Sequence, residues 1–122
     1  MGMVAAAARP AFRREEALSR TLLALADPTR RRLVERVAAG PVRATDLSRG
    51  LPISRPAVAK HLRVLRGAGI VTAVPQGREV LYQLAEEPQG LAEARAYLEQ
   101  VSRAWDAALA AFKRFAESED EP

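Results

Sequence analysis

The stretch that decides the fold is residues 53–69, which read ISRPAVAKHLRVLRGAG. Ser54 is a strong helix N-cap and Gly69 ends a helix well, so we place a helix at about residues 54–66. One face of this helix is apolar, because Val58, Leu62 and Leu65 recur at spacings of four and three. The opposite face holds a small residue and four cations: Ala59, Arg55, Lys60, Arg63 and Arg66. The sequence therefore predicts a helix that buries one side and presents a cationic side.

Three helices are predicted upstream of this one. The first covers residues 13–26, where leucines recur at spacings of four and three. The second starts at Asp27 and Pro28, a capping residue followed by proline at the first helical position, and ends at Gly40. The third is short and covers residues 44–49.

A hairpin is predicted downstream, where the apolar period changes from helical to alternating. Residues 70–74 and 79–84 are rich in β-branched and aromatic side chains and flank the turn sequence PQGR at 75–78. Arg78 places a cation at the tip. Three residues of the second strand are expected to face the core: Val80, Tyr82 and Leu84.

The last predicted element is a helix at about residues 88–116. Its apolar residues follow alternating spacings of three and four: Leu91, Ala94, Leu98, Val101, Trp105, Ala108, Phe112 and Phe115. This repeat keeps one apolar seam aligned along a neighbour. At about 1.5 Å per residue the helix is about 40 Å long, more than a small domain needs to cover its core. Its excess apolar length requires a partner, most economically a second copy of the chain.

Charge is distributed unevenly along the 122 residues, whose net charge is +4. Residues 1–84 carry 15 basic and 6 acidic residues, whereas residues 85–122 carry 4 and 9. We expect a flexible N-terminal arm at 1–12, one domain at 13–116 and an acidic tail at 117–122. A basic body with an acidic end indicates an anionic partner, with nucleic acid first among the candidates.

Composition excludes several function classes. The chain has no cysteine and a single histidine, His61, which leaves no disulfide, no thiolate metal site and no Ser-His-Asp arrangement. Its only lysines are Lys60 and Lys113, and no phosphate-binding glycine loop is present. The sequence contains no run of eighteen apolar residues, which is about the length that a membrane-spanning helix needs. We expect a cytoplasmic protein that is not an enzyme and binds no cofactor or metal.

The order of these elements is that of a winged helix-turn-helix: mainly α, with a β-hairpin wing, in the order α-α-α-α-β-β-α. A helix fits the major groove of B-DNA, where base edges offer distinct donors and acceptors. Ser54 and the free amides at the helix start can meet a phosphate. Arg78 can reach the flanking backbone or the minor groove.

Four segments in this order resemble the ArsR family of bacterial repressors: residues 25–30 (LADPTR), 53–65 (ISRPAVAKHLRVL), 68–71 (AGIV) and 77–84 (GREVLYQL). The resemblance covers about residues 15–85. It implies a homodimeric regulator that binds double-stranded DNA, usually a repressor released by a signal. It also implies that helix 54–66 reads DNA, that residues 70–84 form the wing, and that the first and last helices form the dimer interface.

Two sets of candidate site residues follow. The expected DNA contacts are Ser54, Arg55, Pro56, Ala57, Ala59, Lys60, His61, Arg63 and Arg78. His61 borders the apolar stripe, so a packing or bracing role is the preferred interpretation and a DNA-backbone contact the alternative. The expected dimer contacts are Leu18, Leu22, Leu98, Val101, Trp105, Phe112 and Phe115.

The sequence departs from the metal-sensing members of that family. Those members carry Cys-x-Cys in the third helix or Asp/His ligands on the last one, whereas Arg43 and Thr45 stand at the cysteine positions here and the last helix has no histidine. Two alternatives stay open: a winged-helix module that binds protein, and a metal-responsive repressor with oxygen ligands such as Glu86 and Glu87. The operator, the direction of regulation and a small-molecule effector are open as well.

Overall fold

The computed structural model describes residues 2–119, and side chains from residue 12 to residue 118. Its elements in chain order are α1 (Gly2–Leu25), α2 (Pro28–Ala38), β1 (Val42–Arg43), α3 (Ala44–Leu47), α4 (Arg55–Gly67), β2 (Val71–Gln76), β3 (Glu79–Leu84) and α5 (Gln89–Glu119). This is the predicted winged helix-turn-helix, mainly helical with a β-hairpin wing, with one additional short strand. Residues 120–122 of the expected acidic tail lie outside the described residues.

The first helix starts earlier in the structure than the sequence predicts. Residues 2–12, expected to form a flexible arm before the first helix, are helical, and α1 begins at Gly2 rather than at Arg13. The alanine run at residues 5–8 accounts for the difference, because alanine has the highest intrinsic helix propensity and needs no apolar periodicity to form a helix. The mobility expected of residues 1–12 stays a prediction.

The core lies between α2, α3, α4 and the sheet. The predicted inward stripe of α4 is confirmed, since Val58, Leu62 and Leu65 are all buried. They pack in one cluster with buried side chains of the neighbouring elements: Leu33, Val37, Leu47, Ile70 and Val71. This cluster fixes which side of α4 faces the body.

The sheet has three antiparallel strands in the order β1-β3-β2. β1 is absent from the prediction, because two residues are too few to show an alternating pattern; it forms by pairing Val42 with Tyr82. Tyr82 and Leu84 pack against the core as predicted, but Val80 is exposed. Val80 pairs with Pro75 near the hairpin tip, beyond the reach of the body.

Among the residues whose side chains are described, α5 is buried against α1 over its first turns only. Gly90 lies so close to α1 that a Cβ atom there would approach the Thr21 hydroxyl oxygen and the Ala17 carbonyl oxygen well inside van der Waals contact. Ala94 is the last buried residue of α5, and every residue from 95 to 118 is exposed. Most of α5 therefore extends past the body of the protomer.

Candidate nucleic-acid interface

The start of α4 is fixed by a capping residue. Ser54 has an extended backbone, and its Oγ accepts a hydrogen bond from the Ala57 amide at 3.3 Å. Proline at the first turn matches the backbone angle that a helix needs there. The side chains of this first turn lie at the surface: Ser54, Arg55 and Pro56 are exposed, and Ala57 is half-buried.

The outer face of α4 is cationic and unopposed. Ala59, Lys60 and Arg63 are exposed together with Arg55, and α4 contains no acidic residue. Among the residues that the structure describes, none of the three salt bridges involves α4. The structure thus brings the predicted reading side chains together on one accessible surface, whose positive charge has no internal counterion.

His61 is less accessible than these side chains. Its ring is half-buried, and its Nδ1 lies 3.3 Å from a terminal nitrogen of Arg30 in α2. Because a guanidinium has only donors, Nδ1 is the acceptor, and the proton of the neutral ring sits on Nε2. The sequence showed no signal for this contact, which joins residues 31 positions apart.

Arg30 also binds the end of α1. Its Nε donates to the Ala24 carbonyl oxygen at 2.6 Å, and its second terminal nitrogen donates to the Leu23 carbonyl oxygen at 3.0 Å. Arg31 donates to the carbonyl oxygens of Leu25 and Ala26. The two arginines thereby bind four carbonyl oxygens at and just beyond the end of α1, where a helix runs out of amide partners.

Asp27 sets the start of α2. Its carboxylate accepts from the amides of Thr29 at 2.8 Å and Arg30 at 3.1 Å. The bond from the Arg30 amide, assisted by that from Thr29 and opposed by a partial desolvation, holds the pKa of Asp27 below its ordinary value. The backbone of Arg30 is therefore anchored at the same point from which its side chain reaches α1 and α4.

The wing carries Arg78 at its tip. Gln76 pairs with Glu79, so Gly77 and Arg78 form a two-residue turn, and Gly77 has a φ of +63° that favours glycine. Arg78 is exposed. Glu79 beside it pairs with Arg43 of β1, with 3.0 Å between Nε and Oε2.

α3 and the residue that caps its C-terminus contribute two hydroxyl groups that the sequence analysis missed. Thr45 and Ser48 line a cleft of about 230 Å³ together with Arg55 and Tyr82, between α3, α4 and β3. Hydroxyl groups are common phosphate ligands in DNA complexes. The first helix of a helix-turn-helix motif, which is α3 here, crosses the DNA backbone. Spacing along the sequence gives no signal for these hydroxyl groups, because only the packing of α3 against α4 brings them next to Arg55.

A second surface, on α1 and α5, is apolar. Five expected dimer contacts, Leu98, Val101, Trp105, Phe112 and Phe115, are 45% to 69% exposed. Leu22 is also exposed and Leu18 is half-buried. We call the five α5 residues the α5 seam.

The described part of the chain contains neither a cluster of metal-ligating side chains nor a membrane-spanning helix. No group of three or more His, Asp or Glu side chains there is arranged to hold a metal ion, and Glu86 and Glu87 are both exposed. None of the helices between residues 2 and 119 is long and apolar enough to cross a bilayer.

Comparison with known proteins identifies the family. A helix-turn-helix domain model matches residues 25–74. The HTH-type transcriptional regulator Rv2034 of Mycobacterium tuberculosis is 47% identical over 96 residues, which cover 79% of this chain and 85% of that protein. The chain belongs to the ArsR family.

Two further ArsR-type relatives agree with this assignment. The regulator CmtR of M. tuberculosis is 43% identical over 93 residues, covering 76% of this chain and 77% of that protein. The solved structure of an ArsR-like transcriptional regulator from Rhodococcus sp. RHA1 superimposes with a TM-score of 0.64 at 34% identity, covering 84% of this chain and 94% of that one. The predicted family and the predicted DNA-binding, transcription-regulating function are thereby confirmed.

Proposed function

We propose that this ArsR-family protein is a homodimeric repressor that binds an imperfect palindrome in double-stranded DNA. The observation that carries the proposal is the outer face of α4, which is exposed, cationic and free of acidic residues, while its inner face is buried in the core. A helix of about 10–12 Å diameter fits the B-DNA major groove, which is about 12 Å wide.

The residue roles follow from position on α4 and the wing. Arg55, Lys60 and Arg63 have the length and the donors to reach base edges or phosphates, and Arg55 stands beside the α3 hydroxyls. Ser54, Pro56, Ala57 and Ala59 shape the close approach of the helix start to the DNA. Arg78 reaches flanking phosphates or the minor groove from the wing.

The α5 seam supports the homodimer. An exposed apolar stripe of this length is covered when a second α5 and α1 pack against it. In such a two-fold dimer we expect the two copies of α4 to reach successive major grooves, about 34–36 Å apart, which is the spacing that a palindrome offers.

Repression is the outcome we propose because a dimer seated on promoter DNA excludes other proteins from it, and the resemblance is to repressors. The site of action is the cytoplasm, where bacterial DNA lies. A small-molecule effector that releases the DNA stays a prediction.

The experiment that tests DNA binding is selection of a duplex in vitro, followed by fluorescence anisotropy at rising salt. With about 6–10 phosphate contacts, affinity should fall by about 10³–10⁵ between 50 and 200 mM salt, because bound counterions are released. An affinity independent of salt would rule out the cationic face of α4 as the binding surface and would favour a protein-binding module.

A further inference from the structure

We propose that Arg30 is a positioning residue for DNA reading, which sets the rotation of α4 through its bond to His61. The proposal rests on the proposed function in one respect, that α4 is the reading helix. It assigns to Arg30 and His61 an effect on DNA affinity that needs no contact with DNA.

The geometry of the Arg30 guanidinium supports this role. One planar group donates to the carbonyl oxygens of Leu23 and Ala24 at the end of α1 and to Nδ1 of His61 in α4. The guanidinium fork is rigid, so its bonds to α1 fix the direction from which it meets the imidazole. The Arg30 amide is itself held by the Asp27 carboxylate. Three helices are thus joined at one side chain.

Apolar packing alone leaves the rotation of α4 loosely defined. Val58, Leu62 and Leu65 decide which side faces inward, but apolar contacts have no preferred direction. A hydrogen bond, in contrast, has a preferred direction. A side chain that extends about 8 Å from the helix axis moves by more than about 1 Å when the helix rotates by about 10°, which is enough to lose a bond to a base edge.

The bonds of Arg30 also argue against a direct role on DNA. A basic residue at the start of a helix opposes the helix dipole and would make sense beside a phosphate. Here, however, Arg30 is half-buried and its three nitrogens all bond within the protein. Its charge is directed at the end of α1 and at the inner edge of α4.

The test compares two pairs of variants on the duplex selected with the wild-type protein. Arg30→Met removes the donors and Arg30→Lys keeps the charge without the fork. His61→Phe keeps a ring without an acceptor, and His61→Asn keeps an acceptor at the δ position. We expect about tenfold weaker binding for Arg30→Met, Arg30→Lys and His61→Phe, and near wild-type binding for His61→Asn. The His61 pair decides the matter if a variant at residue 30 fails to fold.

The salt dependence separates positioning from contact. If Arg30 only positions α4, the slope of log affinity against log salt is unchanged in Arg30→Met. A slope that becomes shallower by about 0.9 would show a lost phosphate contact and overturn the proposal. Unchanged affinity in both Arg30→Met and His61→Phe would overturn it as well. Failure of the wild-type protein to select any duplex would instead overturn the proposed function, and the role of Arg30 with it.

A spectroscopic readout tests the link without DNA. His61 is the single histidine, so ¹⁵N-labelled histidine reports on this ring alone. At pH 8 we expect an unprotonated Nδ1 and a protonated Nε2 in the wild-type protein, and a mixture of the two tautomers in Arg30→Met. A wild-type ring protonated on Nδ1, or identical spectra for both proteins, would show that the bond to Arg30 is absent in solution.

Discussion

Helices α4 and α5 both carry an apolar stripe with spacings of three and four residues, yet one stripe is buried within the protomer and the other is exposed. α4 has 13 residues and packs its apolar side against α2, α3 and β2, whereas α5 has 31 residues and leaves the body after its first turns. The spacing of apolar residues therefore predicts that one side of a helix packs against something. The tertiary structure shows whether the same protomer supplies that contact. The α4 stripe therefore serves folding, and the exposed α5 stripe is the surface that we propose for association.

The largest expected effect comes from placing charges on the α5 seam. Val101→Asp combined with Phe112→Asp should raise the dimer dissociation constant by about 10³-fold or more, because unpaired charges would be buried at the interface. Light scattering or sedimentation should show monomers. Ala96→Asp with Ala110→Asp, which adds the same charge to the opposite face of α5, is the control and should remain dimeric. A seam variant that stays dimeric would place the interface elsewhere.

Single leucines from each stripe sharpen the distinction. Leu65 is fully buried, so Leu65→Ala should lower the free energy of unfolding by about 2–5 kcal/mol and leave the dimer dissociation constant unchanged. Leu98→Ala should raise that constant. Chemical denaturation and sedimentation measure the two quantities. The division between the stripes would be wrong if Leu65→Ala weakened the dimer and Leu98→Ala did not.

The cationic face of α4 should respond to substitution in DNA binding rather than in folding. Arg55→Ala or Arg63→Ala should cost about 1–3 kcal/mol of binding and relax base preference if the residue reads a base. Arg114→Ala removes the same charge from the exposed part of α5 and is the matched control. Equal affinities for all three variants and the wild type on the selected duplex would mean that α4 is not the reading helix.

The smallest expected effect is at Asp27, which holds α2 and Arg30 in place beside α4. Its lowered pKa means that its stabilisation is present above the ordinary aspartate value and is lost as the pH falls through the lowered one. The melting temperature of Asp27→Ala should thus lie below that of the wild-type protein at pH 7, and the gap should narrow below about pH 4. Asp106→Ala, on exposed α5, is the control. A gap that did not depend on pH would show that the charge of Asp27 contributes nothing.

Much of the fold could be predicted because its signals are local. The caps at Asp27 and Ser54 and the stripe of α4 are set by residues within one or two helical turns of each other, and the structure agrees with each. The hairpin was predicted for the same reason. The start of α1 was missed because alanines form helix without a periodic signal.

Some residues of the candidate site could likewise be predicted from local sequence signals, and others could not. The exposure of Arg55, Lys60 and Arg63 follows from their position opposite the apolar stripe, so the sequence was enough to nominate them. Thr45 and Ser48 could not be nominated from spacing, because only the packing of α3 against α4 brings them beside Arg55.

By itself, the amino-acid sequence determined the faces of the helices, the place of the wing and the family, since these depend on residue type and on spacings of a few positions. Only the tertiary structure decided that Val42 pairs with Tyr82, that Arg30 joins α1 to His61, and that α5 leaves its apolar seam uncovered. These features join residues distant in sequence, or depend on how far a helix extends beyond its neighbours. The relative placement of whole elements sets them, and no local pattern encodes that placement.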